Sequence, residues 1–119
     1  MSGSAVASAN TALDGLVGTF IQVHVGDPGA AGTTNQASVT TRPGLTWGAS
    51  VNGTKAITNQ PAWANWAGTT QTITHVSQWT ASSGGTFKRS DPVANPVVIA
   101  AGATLTITAY SLTFGPLAT

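Results

Sequence analysis

The sequence predicts an all-β protein, an antiparallel β-sandwich or jelly roll that carries a short N-terminal helix. Segments in which apolar and polar side chains alternate with a period of two recur along the chain, as is typical of half-buried strands. Turn signals such as Asn52-Gly53 and Asp91-Pro92 separate these segments at close intervals. The 119 residues, 41% of them apolar, are enough for one domain with a real core.

The chain begins with apolar residues that recur at helical spacing over residues 5–17. Ser4 suits the N-cap of this helix and Gly18 suits its C-terminal stop. Because so short a helix is unstable alone, it must pack on its own domain or on a neighbouring chain. We therefore expect residues 1–18 to be a helical docking segment and residues 19–119 to form a single β-sandwich domain.

The first strand is predicted at residues 19–25, TFIQVHV, where side chains on the two faces alternate. The stretch that follows, residues 24–38, is rich in Gly, Ala and Thr. Asp27 can accept hydrogen bonds from nearby backbone amides, and Pro28-Gly29 suits the centre of a turn. The glycine spacing of a phosphate-binding loop is absent, so we expect a turn that enters a long loop.

The dipeptide Asn52-Gly53 is a strong signal for a two-residue hairpin turn. It predicts that a strand at residues 45–51 pairs with a strand at residues 55–58. Together with Thr54 it also matches a glycosylation sequon, but a tight turn already explains both the Asn and the Gly.

The second half of the chain contains a predicted strand at residues 71–80 and a short segment, TFKRS, that is expected to end at Asp91. Pro92 and Pro96 restrict pairing, so this part is predicted to be a loop or a sheet edge. In ATLTITAYSLTF the alternation slips by one residue at positions 110–111, which indicates a bulge or a bend between sheets.

Ionisable side chains are scarce, since Asp, Glu, Lys and Arg make up 6% of the chain against roughly 25% in an ordinary soluble domain. A net charge of +1 is too small for a nucleic-acid footprint. No apolar run is long enough to span a membrane, and the N-terminus does not resemble a secretory signal. The surface is therefore expected to be neutral and Thr-rich, to be covered by neighbouring subunits, or both.

The candidate chemical groups do not form a motif. Asp14, Asp27 and Asp91 lie in three separate segments, whereas glycosidase chemistry needs two carboxylates close together. His24 and His75 do not complete a zinc-ligand pattern, and no G-x-S-x-G elbow accompanies the serines. We therefore predict no catalytic residue, no metal site, no cofactor and no enzymatic activity.

The tryptophans offer the best candidates for contact with another molecule. Trp63 and Trp66 are three positions apart, so they cannot alternate on one face of a strand, and we expect at least one of them to be exposed or at an interface. Large aromatic side chains serve in cores and interfaces, or as platforms for sugar rings. The candidate interface residues are Leu13, Leu16, Val17, Trp63 and Trp66, and the candidate glycan contacts are Trp63 and Trp66.

Five segments, ALDGL, VHVGDPGAAGTTN, TWG, TITHVSQWTASSGGTF and VIAAGATLTI, together resemble a family of small virion proteins of tailed bacteriophages. These are tail-fibre or minor tail proteins typical of phages of actinobacteria. The chain departs from that family at Gln36, where an acidic residue is common, and at Arg42-Pro43, where an Arg-Gln pair is common. Its tail, SLTFGPLAT, also extends past the usual end.

The resemblance implies a non-enzymatic structural protein of the virion, assembled in the host cytoplasm without a signal peptide. We expect it to dock on other virion proteins of the tail as a fibre, tip or minor tail component. It is expected to be a homo-oligomer, with a trimer as one candidate arrangement. Two alternatives stay open: a capsid decoration protein on the head surface, and a carbohydrate or host-receptor module that binds a host-surface glycan.

Overall fold

A computed structural model describes residues 5–113 and consists of one helix and seven antiparallel strands. The predicted all-β class is confirmed. A three-stranded sheet has the order β1-β4-β5, and two two-stranded ribbons, β2-β7 and β3-β6, form the remainder of the β-structure. The elements are α1 Val6–Leu16, β1 Phe20–His24, β2 Thr54–Ala56, β3 Ala62–Trp63, β4 Gln71–Trp79, β5 Phe87–Ile99, β6 Leu105–Thr106 and β7 Ser111–Thr113.

The hydrophobic core joins the three-stranded sheet to the β3-β6 ribbon. Ile21 and Val23 of β1 are almost fully buried, and Val23 lies opposite Val76 of β4. Trp63 and Leu105, which are register partners in the ribbon, belong to the same cluster. Burial of each such side chain contributes about 1.5–3 kcal/mol, so this cluster supplies most of the driving force for folding.

The second face of β1 is also buried, although it carries polar side chains. Gln22 and His24 lie on this face and are at most 1% exposed. The loop after β1 runs back along its free edge, where the Val25 amide donates to the Asn35 carbonyl and the Ala37 amide donates to the Val23 carbonyl, at 2.9 and 3.3 Å. This loop therefore covers both the edge and the polar face of the strand.

The helix is found where the spacing predicts it. Its N-cap position is Ala5, with no side-chain cap bond, whereas the predicted cap Ser4 lies outside the described residues. The helix ends at Leu16, and Val17 is already extended. Its Leu13 is 1% exposed, and α1 packs against β2 of the same chain.

The predicted hairpin at Asn52-Gly53 is confirmed as a tight turn, since the amide and carbonyl groups of Val51 and Thr54 exchange two hydrogen bonds of 2.9 Å. Its first arm is not a continuous strand. Residues 45–51 pair with the second arm through isolated bridges, such as Trp47 to Ile57, and do not form a continuous ladder.

The prediction that the TFKRS strand ends at Asp91 is wrong, because β5 continues through both prolines to Ile99. The prediction of a sheet edge there is confirmed, since β5 is the outer strand of the order β1-β4-β5 and, among residues 5–113, pairs with β4 alone. A proline is tolerated on an edge strand, where its missing N–H faces away from the partner. The register also shifts between Ile73 and His75 of β4, so the segment around Pro96 bulges instead of pairing.

The slip in alternation at positions 110–111 marks a change of partner strand. Leu105 of β6 pairs with β3, whereas Ser111 begins β7, which pairs with β2. The predicted bend between sheets is therefore confirmed. Phe114, the last residue of the predicted alternation, lies outside the described residues.

Two glycines near the end of the helix give opposite predictions. A Cβ on Gly18 would lie 2.6 Å from the Trp79 carbonyl oxygen, and this backbone atom cannot move aside. A Cβ on Gly15 would meet nothing within 4 Å. In urea unfolding, we expect Gly18→Ala to lower the free energy of unfolding by about 1–3 kcal/mol and Gly15→Ala to raise it by up to about 1 kcal/mol. Equal effects would contradict the close packing of Gly18.

Candidate functional site

A serine and a histidine meet on the buried polar face of the sheet. The His24 Nε2 atom lies 2.7 Å from the Ser77 hydroxyl, and the His24 Nδ1 atom lies 3.0 Å from the Thr34 carbonyl oxygen. A carbonyl oxygen can only accept, so Nδ1 carries the proton and Nε2 accepts from Ser77. The Ser77 oxygen in turn accepts from the Trp79 indole at 2.8 Å.

This Ser–His pair resembles a nucleophile with its general base, but a substrate cannot reach it. His24 and Ser77 are both fully buried, and every nitrogen of the imidazole already has a partner. Burial is the main influence that lowers the pKa of His24 below its ordinary value of 6.5, against the opposing effect of the Thr34 carbonyl. The pair is therefore a neutral hydrogen-bonded link between the sheet and the loop.

The loop that covers this pair is held by its own turn residues. The Asp27 carboxylate accepts from the Gly29 amide at 2.9 Å, and the Asn35 side chain donates to the Asp27 carbonyl at 3.0 Å. The Thr34 amide donates to the Pro28 carbonyl at 3.0 Å. These bonds place the Thr34 carbonyl over His24, so Asp27 has a structural partner in the turn that was predicted here.

Arg42 closes the other end of the polar face. Its guanidinium lies 3.9 Å from the centroid of the Trp79 ring and donates to Gln22 Oε1 at 3.0 Å. It also donates to the carbonyls of Ala81 and Gly84 at 3.2 and 2.8 Å. Gln22 Nε2 has no hydrogen-bond partner among residues 5–113. Arg42 therefore ties the β4-β5 turn to the sheet and is not displayed for an anionic partner.

A cleft of about 440 Å³ opens between β5 and the β6–β7 segment. At its polar end, the Tyr110 hydroxyl donates to the Asp91 carboxylate and accepts from Gln78 Nε2 at 2.9 Å. Burial, together with the hydrogen bond to Asp91, raises the pKa of Tyr110. The cleft is lined mainly by apolar side chains and by this polar pair, including Val76, Val93, Ile107, Leu112, Asp91 and Tyr110.

The Asp91 carboxylate in the cleft is already paired with a cation. Arg89 donates to both oxygens of Asp91, at 2.9 and 2.7 Å, in a bidentate ion pair on the same strand. Within residues 5–113, no three His, Cys, Asp or Glu side chains lie close enough together to hold a metal ion. The cleft thus suits a small apolar group better than a charged substrate.

The expectation that Trp63 or Trp66 is exposed is wrong. The two residues are 4% and 2% exposed, and both belong to the hydrophobic core. Their indole nitrogens donate to the carbonyls of Thr41 and Thr69, each at 2.8 Å. Their different directions are accommodated because Trp63 lies on β3 whereas Trp66 lies in the irregular segment that follows this strand. Neither ring presents a face that could stack on a glycan.

The other candidate interface residues separate into two groups. Leu13 faces its own domain and is buried, whereas Leu16 is 37% exposed and Val17 is intermediate. The helix is also tied down by polar contacts, since the Asp14 carboxylate lies 3.0 Å from Lys55 Nζ and 2.6 Å from the Ser50 hydroxyl. Leu16, on the outer side of the helix, is therefore available for contact with another protein.

Sequence reasoning missed the residues that organise these contacts, namely Arg42, Gln78 and Tyr110. In the sequence Arg42 stands out only as a departure from the pattern of the family that the chain resembles, and the single tyrosine, Tyr110, only as the place where the alternation slips. The sequence nevertheless contains a signal for Arg42. The chain has only four Lys and Arg residues, and Arg42 lies among apolar and neutral residues, so its side chain is a candidate for contacts within the fold.

Comparison with known proteins gives one family. A model of the family described as Podophage GP4 fiber I protein gp80 matches residues 6–115 of the chain. A search of curated proteins finds no significant match. The helix of the described part is too short to cross a membrane.

The buried histidine predicts that the fold loses stability in mild acid. Because the pKa of His24 is lower in the folded chain than in the unfolded chain, the unfolded chain binds more protons below about pH 6.5. The free energy of unfolding therefore falls as the pH drops from about 6.5 to the lowered pKa, by at most about 1.4 kcal/mol per pH unit from this group. Below that window the contribution of His24 is constant.

Urea unfolding at a series of pH values measures this slope. The His24→Gln variant is expected to be less stable throughout and to lack the part of the slope that His24 causes. An identical pH profile in the wild type and the variant would show that His24 does not titrate in this way.

Proposed function

The chain belongs to the family described as Podophage GP4 fiber I protein gp80, and we propose that it is a structural component of the phage fibre that docks through its N-terminal helix as a homo-oligomer. The family establishes a phage fibre protein of the virion that associates with other virion proteins. Membership in a fibre family supports the tail as its location over the alternative of capsid decoration on the head.

The observation that supports the docking proposal is that most charged side chains are paired or stacked within the chain. Asp14 pairs with Lys55, Arg89 pairs with Asp91, and Arg42 is stacked on an indole. Removing a charge from water is costly, but this surface has few free charges to desolvate. A neighbouring protein can thus be packed against it at low electrostatic cost.

The proposed docking segment is residues 1–18, of which the described part includes α1. Leu13 and the Asp14–Lys55 pair fix one face of the helix on the domain, which leaves Leu16 on the outside. Many copies on a symmetric particle share one platform, so weak individual contacts combine through a high effective concentration. Glycan binding, the third hypothesis, has no supporting observation here, because the two tryptophans proposed for it are buried.

Virion incorporation tests the docking segment with two matched substitutions. Leu16 and Val25 are both 37% exposed, but only Leu16 lies on the helix. We expect Leu16→Glu to reduce the amount of the protein in purified particles at least severalfold, because the new charge must be desolvated at the contact, and Val25→Glu to leave that amount unchanged. Equal incorporation of both variants would refute docking through the helix.

Sedimentation equilibrium of the purified chain tests the oligomer separately. We expect the mass of at least two chains, where one chain is 11.9 kDa, with a trimer as the arrangement to examine first. A chain that stays monomeric at high concentration would remove the homo-oligomer from the proposal and leave the family assignment intact.

A further inference from the structure

The turn between residues 51 and 54 contains a reactive pair of residues. Asn52 and Gly53 occupy its two central positions with φ angles of 50° and 73°, as a two-residue hairpin turn requires. The Asn52 side chain is exposed to water, whereas Gly53 is buried. The strand that follows, β2, carries the Lys55 that holds the helix.

An Asn followed by Gly can cyclise without an enzyme. The backbone nitrogen of Gly53 attacks the side-chain carbonyl carbon of Asn52, a C–N bond forms, and ammonia leaves as the five-membered succinimide closes. Water then opens the ring to give an aspartate or an isoaspartate at position 52. Glycine favours this step because it has no Cβ to obstruct the approach.

In this structure the attacking nitrogen is occupied. The Gly53 N–H donates to Asn10 Oδ1 on helix α1 at 2.9 Å. The nitrogen must lose this partner before it can lose its proton and turn toward the Asn52 side chain. The helix is held over the turn by buried Leu13 and by the ion pair between Asp14 and Lys55.

We propose that Asn52 is a site of succinimide-mediated deamidation and that Asn10 controls its rate. While the helix is docked on its own domain, the hydrogen bond to Gly53 keeps the reaction slow. When the helix moves away, the nitrogen is freed and the reaction accelerates. This inference is independent of the function proposed above, because it needs only the contact between the helix and the turn.

The modification would alter a chain with few charges. Each event replaces a neutral amide by a carboxylate and changes the formal net charge from +1 to 0. The isoaspartate product also inserts an extra methylene into the backbone, which disrupts the two hydrogen bonds between Val51 and Thr54. A weakened turn makes β2 less rigid. It thereby weakens the ion pair between Lys55 of β2 and Asp14 of the helix.

Peptide mass spectrometry of the full chain, incubated at mildly alkaline pH, measures the replacement of the side-chain NH₂ by OH. We expect Asn10→Ala to accelerate this replacement at Asn52 by about fivefold, the ratio that corresponds to the loss of one ordinary hydrogen bond. Asn10→Asp keeps an acceptor oxygen in place, so its rate at Asn52 should stay near that of the wild type.

Asn65 is the internal control, because it is also exposed and has the same φ of 50°, but Trp66 follows it and obstructs the attack. The rate at Asn65 should not change in either variant. Equal rates at Asn52 in the wild type and Asn10→Ala would overturn the proposal. A parallel rise at Asn52 and Asn65 would show general unfolding and would equally overturn the role of Asn10.

Discussion

The fold depends on the antiparallel pairing of β1 with β4, because this pair of strands is covered on both faces. One face packs Ile21 and Val23 into the core, and the other holds Gln22 and His24 under the loop. A buried polar group is costly unless it is hydrogen-bonded, so the loop and β4 must present partners in register. The Thr34 carbonyl and the Ser77 hydroxyl do so for His24. The apolar layer drives folding, and the polar layer selects one arrangement of the loop.

Most of the few ionisable side chains make contacts within the chain itself. The four cationic and three acidic side chains include two ion pairs and a guanidinium that is stacked on Trp79. The Asp14–Lys55 pair joins the helix to a ribbon, and Arg42 joins the β4-β5 turn to the sheet, whereas Arg89 and Asp91 pair within β5. What is left outside is largely neutral. A neutral surface can be covered by another protein with little cost for desolvating charge, which is the condition that the proposed docking requires.

Local sequence patterns were sufficient to predict those elements whose conformation depends on neighbouring residues. The period-two alternation at residues 71–80, the helical spacing at residues 5–17 and the Asn52-Gly53 turn all predicted elements that the structure contains. They failed at β5, since prolines exclude a central strand but not an edge strand, and edge position is a property of the whole sheet. They failed for Trp63 and Trp66 as well, because the two indoles are buried by segments distant in sequence.

The amino-acid sequence by itself determined the all-β class, the position of the helix and the tight turn, because each follows from the order of neighbouring residues. Only the tertiary structure decided which polar groups are paired. It brought Arg42 onto Trp79, Tyr110 onto Asp91 and Asn10 onto Gly53 across long stretches of chain. Such contacts depend on the packing of whole layers, since the two partners are distant in sequence and meet only where the fold brings them together in space.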